Sequence, residues 1–329
     1  MLVDTYGRRA TDLRVSLTDR CNLRCTYCMP EEGLQWLAKP DLLSDDETVR
    51  LIRVAVTLLG VTDVRFTGGE PLLRPGLTGI VERCAALDPR PRMSLTTNGI
   101  GLARTAAALK NAGLDRVNVS LDTLRPEVFH RLTRRDRHHD VIHGLEAARA
   151  AGLTPIKINT VLMPGVNDDE APELLAWAIA EGYELRFIEQ MPLDAQHGWK
   201  RDGMITADAI IASLSSRFTL TPEGEQRRGA APAERWLVDG GPHRVGVIAS
   251  VTRPFCAACD RTRLTADGQV RSCLFAREET DLRAALRSGA PDEEIADLWR
   301  LAMWGKKAGS GLDDPSFLQP DRPMSAIGG

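Results

Sequence analysis

Apolar positions along the first two hundred residues follow two alternating periods. Short runs rich in β-formers read as strands at Leu13–Leu17, Asp63–Thr67, Met93–Thr97, Arg116–Leu121, Pro155–Met163 and Glu184–Gln190. Amphipathic patterns between them read as helices. The first has the clearest signature: Ser44 and Glu47 form a capping box, Leu51, Ile52, Val54, Ala55, Leu58 and Leu59 supply an apolar stripe, and Gly60 stops it. A second runs over Leu77–Leu87, and others end at Gly113, Gly152 and Gly182; glycine suits the left-handed position after a helix. Six strand–helix repeats predict an α/β fold with a parallel sheet and helices outside it. An open doubly wound sheet and an incomplete barrel satisfy the pattern equally. In either, chemistry is expected at the C-terminal ends of the strands.

After about residue 200 the rhythm changes. A helix is expected over Thr206–Arg217, then a Gly/Pro/Arg-rich stretch, Pro222–Pro232, that reads as a mobile connector. Strands follow at Arg235–Val238 and Val245–Val251, then a hairpin turning at Asp267-Gly268, a helix over Asp292–Met303 and a polar tail ending Gly328-Gly329. Two regions are therefore expected, 1–200 and 201–329.

Composition narrows the class. An apolar fraction of 43% and a charged fraction of 26% are those of a globular chain, which argues against disorder. A net charge of −3 argues against a broad nucleic-acid or anionic-membrane surface. With no apolar run of membrane-spanning length and no export signature, a cytoplasmic protein is expected. Seven cysteines fit a disulfide framework poorly. Cys84 sits in a helical pattern and reads as a core residue, whereas the other six form two triplets.

The first triplet, Cys21, Cys25 and Cys28, occupies a polar loop after the first strand. A four-iron cluster takes four thiolates as a rule. Three within eight residues leave one iron open to chelate a small ligand by an amine and a carboxylate, the groups that methionine and its sulfonium derivatives carry. A zinc knuckle would favour two C-x-x-C pairs or a nearby histidine, and no histidine precedes His130. The second triplet, Cys256, Cys259 and Cys273, is equally compatible with structural zinc when taken alone. Arg261, Arg263 and Arg271 among these cysteines tip the reading toward a second cluster beside a phosphate-binding site. Arg261 and Arg263 fall on one face of a strand. Lys157 reads as a buried strand lysine, costly if unpaired. His138 and His139 read as solvated surface. A non-enzymatic alternative is a zinc-stabilised binding module with both triplets structural.

The run "LRVSLTDRCNLRCTYCMP" and Gly68-Gly69-Glu70-Pro71 resemble the radical SAM superfamily. With "SLTTNG", "VSLDTL", "FIEQMP", "CAACDRTRLTADGQVRSCLF" and the final glycines, nearly the whole chain resembles the GTP 3′,8-cyclase family within it, which opens molybdenum-cofactor biosynthesis. The resemblance implies an incomplete (β/α)6 barrel of the TIM type closed by a C-terminal region. Two 4Fe-4S clusters would then sit on Cys21, Cys25 and Cys28 and on Cys256, Cys259 and Cys273. It further implies S-adenosylmethionine contacts at Tyr27, Gly69, Ser120 and Met191, and GTP contacts at Arg14, Arg65, Thr96, Lys157, Arg261, Thr262 and Arg263. Arg261, Arg263, Gly328 and Gly329 would assist catalysis, the tail threading into the site. Many relatives carry a lysine where this chain has Asp63. A flavodoxin or ferredoxin would supply electrons, a homodimer is expected, and the product would pass to MoaC, the cyclic pyranopterin monophosphate synthase. The competing enzyme class is a radical SAM peptide maturase with an auxiliary cluster.

Overall fold

The computed structural model describes residues 1–224 and 228–328. Six parallel strands follow chain order in one sheet: β1 (Asp12–Ser16), β2 (Asp63–Thr67), β3 (Arg92–Thr97), β4 (Arg116–Ser120), β5 (Lys157–Val161) and β6 (Glu184–Ile188). A doubly wound sheet would reverse its order at a switch point. This one does not, so the ambiguity left by periodicity resolves to a partial barrel. Its connecting helices are α1 (Asp45–Thr57), α2 (Leu77–Ala85), α3 (Leu102–Asn111), α4 (Pro126–Thr133), α5 (His138–Ala150) and α6 (Ala171–Glu181). α7 (Ala207–Ser215) follows β6.

Strand alternation separates core from interior. In β1, Leu13 and Val15 join the apolar layer under the helices while Arg14 faces the barrel cavity; in β2, Val64 and Phe66 do the former and Arg65 and Thr67 the latter. Cys84 lies fully buried in the apolar layer, as its helical pattern predicts. The capping box at α1 forms, with Ser44 Oγ accepting from the Glu47 amide at 3.1 Å and Glu47 Oε2 from the Ser44 amide at 2.7 Å.

Between β4 and β5 one helix was expected and two are found. Arg134 adopts φ 55 at the break. The interruption has a use, because the last carbonyls of α4 dock the cysteine loop: the Arg24 and Thr26 amides donate to Thr133 and Leu132 oxygens, each at 2.9 Å. Arg134 Nη1 adds a bond to the Arg24 carbonyl at 2.9 Å.

The C-terminal region extends the same sheet at both edges. β7 (Leu220–Pro222), β8 (Glu234–Val238) and β9 (Arg244–Ile248) form an antiparallel set whose last member runs parallel to β6. β10 (Arg261–Leu264), β11 (Gln269–Arg271) and β12 (Thr280–Asp281) form another, with β10 parallel to β1. The chain from Ile248 to Arg261 must therefore leave the C-terminal rim beside β6 and re-enter the sheet beside Asp12, at the start of β1. It crosses the open side of the barrel from top to bottom, carrying Cys256 and Cys259. α8 (Leu282–Arg287) and α9 (Asp292–Trp304) pack outside, and a short α10 (Met324–Ile327) lies in the segment expected to be a polar tail.

Part of the expected connector is packed. Its residues 225–227 lie outside those described, but Arg228 Nη2 bonds to the Pro232 carbonyl at 2.9 Å, and Pro232 lines the cavity. Glu189, buried just past β6, anchors the crossing segment by accepting from the Val251 and Thr252 amides, each at 2.9 Å, and from the Ala207 amide at 2.7 Å. Glu189→Ala strands two buried donors, the Ala207 and Val251 amides, and the part-buried Thr252 amide, each worth about 1–3 kcal/mol. We expect it to lower the unfolding free energy by roughly 3 kcal/mol or more, seen as a lower urea midpoint.

Candidate active site within the barrel

The first triplet sits at the C-terminal rim. Cys21, Cys25 and Cys28 line a cavity of about 340 Å³, and none of the seven cysteines is in a disulfide. Their loop is held by the Gly-Gly-Glu-Pro turn. The Gly69 amide donates to the Thr18 carbonyl and the Glu70 amide to the Arg20 carbonyl, both at 2.8 Å. A β-carbon on Gly68 or Gly69 would overlap those same carbonyl oxygens, and Gly68 has φ +131. The glycines thus admit the cysteine loop's own backbone, a more specific use than the ligand approach that their type suggests. Glu70, fully buried, accepts from Leu72 N at 2.9 Å, Thr97 Oγ1 at 2.7 Å and Asn98 N at 2.7 Å. It ties the turn to the Thr97-Asn98 end of β3. Asn98 Nδ2 then donates to Asn22 Oδ1 at 2.7 Å within the cysteine loop.

Burial pushes the thiols upward, Cys21 to about 11 and Cys28 to about 12. Such thiols become thiolates only when a metal displaces the proton. Among the described residues no three His, Cys, Asp or Glu side chains meet closely enough to hold a single metal ion. A cubane spreads its three ligated irons over separate corners, so three spaced sulfurs on one loop suit it. Tyr27 donates to Asp122 Oδ2 at 2.7 Å, and burial raises Asp122 to about 6. Gly69, Ser120 and Met191 line the same end of the cavity.

Below the rim the barrel is cationic. Register places Arg263, Arg14 and Arg65 side by side on β10, β1 and β2, with Asp12 one step lower. Asp12 Oδ2 lies 3.9 Å from Arg14 and 3.6 Å from Arg65. Burial would raise its carboxyl, but Arg14, Arg65, Arg261 and Arg263 together bring it below its ordinary value. The arginines show the converse. Burial and then Arg65 hold Arg14 well below the usual guanidinium range, and burial with Arg65 and Arg116 brings Arg186 to about 9. Arg14 Nε, Arg65 Nε, Arg186 Nε and Arg261 Nη2 are buried without a hydrogen-bond partner among the described residues. Thr96 Oγ1 lines the wall and accepts from Asn118 Nδ2 at 3.2 Å.

The second triplet closes the N-terminal end. Arg261 pairs in register with Asp12, and β11 ends at Arg271 just before Cys273. Cys256, Cys259 and Cys273 line the same cavity as the first triplet. From Asp12 to Ser16 the strand climbs roughly 13 Å. Chemistry was expected at the C-terminal ends of the strands; the second cysteine site lies at the opposite end because β10 re-enters from below. At Cys259 burial works against the thiolate, but Arg261 and Lys306 outweigh it and bring the thiol to about 7.

Several expectations need correction. Thr262 alternates away from Arg261 and Arg263; its Oγ1 accepts from Trp299 Nε1 at 2.9 Å, so its side chain faces α9 and not the cavity. Arg271 is spent on Glu279 and the Ala276 carbonyl, shaping the turn beside Cys273. Lys157 is paired, 2.9 Å from Glu184, and shares the inner side of β5 with Asn159 one step above it. Asp63 bonds Arg92 at 2.7 Å. His138 is half-buried, its Nε2 3.2 Å from the Thr123 carbonyl, while His139 is exposed. The tail reaches the barrel interior, the direction the resemblance implies and so no correction: Ser16 Oγ donates to the Ile327 carbonyl at 2.8 Å and Arg263 Nη1 to the Gly328 carbonyl at 2.9 Å. A β-carbon at Gly328 would overlap Ser16 and Thr67. Gly329 lies outside the described residues.

Sequence reading missed Arg186, Asp12 and Lys306 as parts of the site. A charged residue alternating inside a parallel strand was the available signal for Arg186 and Asp12. Lys306 follows a helix and carried none.

Comparison with known proteins agrees with this architecture. Residues 15–178 match the Radical SAM superfamily and residues 183–312 match Molybdenum Cofactor Synthesis C. The chain is 82% identical over 329 residues to a GTP 3′,8-cyclase of Streptomyces coelicolor, covering 100% of this chain and 96% of that one. It is 63% identical over 332 residues to a GTP 3′,8-cyclase of Mycolicibacterium smegmatis, covering 100% and 92%. In fold it resembles the crystal structure of Streptococcus suis SuiB bound to S-adenosylmethionine, with TM-score 0.60 at 15% identity over 94% of this chain and 67% of that one.

Burial raises the Glu70 carboxyl from its ordinary 4.5 to about 7. Between those values the folded chain holds a proton that the unfolded chain releases, so Glu70 makes stability fall as pH rises through this window. Glu70→Gln should flatten this part of the profile by up to about 1.4 kcal/mol per pH unit. Urea midpoints of both proteins from pH 4.5 to 8 measure it; parallel profiles would refute the assignment.

Proposed function

The chain belongs to the GTP 3′,8-cyclase family of radical SAM enzymes, and from that premise we propose how its residues divide the work. When bound, a 4Fe-4S cluster with S-adenosylmethionine supplies the 5′-deoxyadenosyl radical that takes the ribose 3′ hydrogen of GTP, whereupon C3′ bonds to C8 and one electron and one proton complete 3′,8-cyclo-7,8-dihydro-GTP. Cys21, Cys25 and Cys28 would hold that cluster. Tyr27, Gly69, Ser120 and Met191 form the wall against which S-adenosylmethionine lies, Tyr27 being fixed by its bond to Asp122.

The triphosphate is held by Arg14, Arg65, Arg186, Arg261 and Arg263, with Lys157 below and Thr96 beside it. One observation carries this reading: Arg14, Arg65, Arg186, Arg261 and Arg263 line one cavity, four of them with a guanidinium nitrogen lacking a partner among the described residues, at a density of positive charge that Asp12 and Asp260 cannot balance. A polyanion supplies the missing acceptors. Cys256, Cys259 and Cys273 would hold a second 4Fe-4S cluster at the far end, beside the place left for the guanine. GTP then spans the barrel, its reacting ribose enclosed between the two ends and away from water. Residues 1–200 generate the radical and supply Arg14, Arg65, Arg186, Lys157 and Thr96 to the substrate, while 201–329 hold the second cluster and complete the substrate site with Arg261 and Arg263. The Gly328 carbonyl, bonded to Arg263, orients that guanidinium within the pocket.

The work is cytoplasmic, where reducing conditions suit seven free cysteines. A flavodoxin or ferredoxin supplies electrons to a homodimer, and the product passes to MoaC. Anaerobic reconstitution should load about eight irons per chain, and the reduced protein with S-adenosylmethionine and GTP should yield the cyclised nucleotide. 5′-Deoxyadenosine without a cyclised guanosine product would overturn the substrate assignment. Arg186→Ala removes a charge-assisted donor worth about 1.5–3 kcal/mol, so GTP affinity should fall roughly 10–100-fold by calorimetry while S-adenosylmethionine binding is retained. Ending the chain at Ile327 should leave iron content and S-adenosylmethionine binding intact and sharply reduce cyclised product. Full cyclisation by the shortened chain would refute a role for the tail.

A further inference from the structure

Lys306 is a buried cation that the reaction above does not use. It follows α9, is 3% exposed, and its Nζ donates to the Arg261 carbonyl at 2.8 Å and lies 3.2 Å from Cys259 Sγ. Lysine is almost never buried so fully without a partner. Its place is built from the other end of the chain. Arg8, bonded to Asp4, donates to the Lys307 carbonyl at 2.6 Å, to the Ala308 carbonyl at 2.9 Å and to the Cys256 carbonyl at 2.8 Å. One guanidinium thereby fastens the segment carrying Lys306 to the cysteine loop. The other cation at Cys259 is Arg261, which stacks over Phe255 at 4.9 Å and lines the cavity, whereas Lys306 stands behind the sulfur.

We propose that Lys306 is a positioning residue that raises the reduction potential of the cluster held by Cys256, Cys259 and Cys273, by donating a hydrogen bond from its ammonium to the Cys259 sulfur. The inference rests on the reading that this triplet holds a cluster. An electron accepted from an external reductant increases negative charge on the ligand sulfurs. A fixed donor and a positive charge at one of them stabilise the reduced form more than the oxidised one. Low surrounding polarity strengthens the effect. Because Lys306 lies outside the cavity, it holds this bias while Arg261 turns to substrate.

The test uses the full chain with Cys21, Cys25 and Cys28 changed to Ala, so that iron binds only at the second triplet. This parent should load about four irons, and dithionite titration followed by electron paramagnetic resonance gives its midpoint. Lys306→Met should keep its iron and shift the reduction equilibrium at least tenfold toward the oxidised form, about 59 mV lower for one electron. Lys306→Arg should stay near the parent. An unchanged midpoint in an iron-loaded Lys306→Met overturns the proposal and leaves Lys306 as a structural ligand of the Arg261 carbonyl. A parent that takes up no iron overturns the cluster reading itself. Should Lys306→Met fail to load, Lys306→Gln, which loses the charge and keeps a donor, is judged by the same direction of shift.

Discussion

The interior of this barrel is organised by like charge. Arg263, Arg14 and Arg65 stand in register on three adjacent strands, an arrangement that cross-strand energetics disfavour. Asp12, close to Arg14 and Arg65, offsets only part of the repulsion. What assembles it is the other face of the same strands: Leu13, Val15, Val64, Phe66 and Leu264 are all within 1% of full burial and fix each strand's register against the helices. Because side-chain direction alternates strictly, fixing the apolar face fixes the arginine row with it. The fold's hydrophobic stabilisation is thereby used to hold a charge distribution that an anion completes.

That division explains what could be read from the sequence. Elements whose identity depends on local pattern were legible: the capped helix at Ser44, the strand at Asp63–Thr67 and the hairpin at Asp267-Gly268 all occur where periodicity and turn chemistry put them. The cysteine triplets were legible because ligand spacing is a local property. Elements fixed by distant partners were not. Thr262 sits between obvious site residues, yet Trp299, 37 residues on, draws its side chain out of the cavity. Lys306 lies 47 residues from Cys259. The extra helix break at Arg134 reflects a need of the cysteine loop 110 residues earlier. No window of sequence contains both halves of such an interaction.

The crossing segment turns one fold into a chamber with two different ends. An ordinary barrel enzyme gathers its chemistry at one rim. Here β9 and β10 each lie parallel to a barrel strand at opposite edges, so the chain between them has to travel the height of the barrel. That obligation carries Cys256 and Cys259 down to the level of Asp12, with the cationic wall between them and the first triplet. A ligand that reaches from one end to the other must pass the arginines. A nucleoside triphosphate has anionic and heteroaromatic parts to meet both demands.

The tail completes the enclosure through the same economy of space. Ile327 is fully buried, and its carbonyl accepts from Ser16 just ahead of the cysteine loop. Gly328 then passes between Ser16 and Thr67, where any β-carbon would overlap both. The residue that can enter this gap offers only backbone, and it presents a carbonyl to Arg263. A carbonyl is a weaker partner for guanidinium than a phosphate oxygen. It therefore orients the arginine without neutralising it, which leaves the charge free to meet an anion in the cavity between the two cysteine triplets.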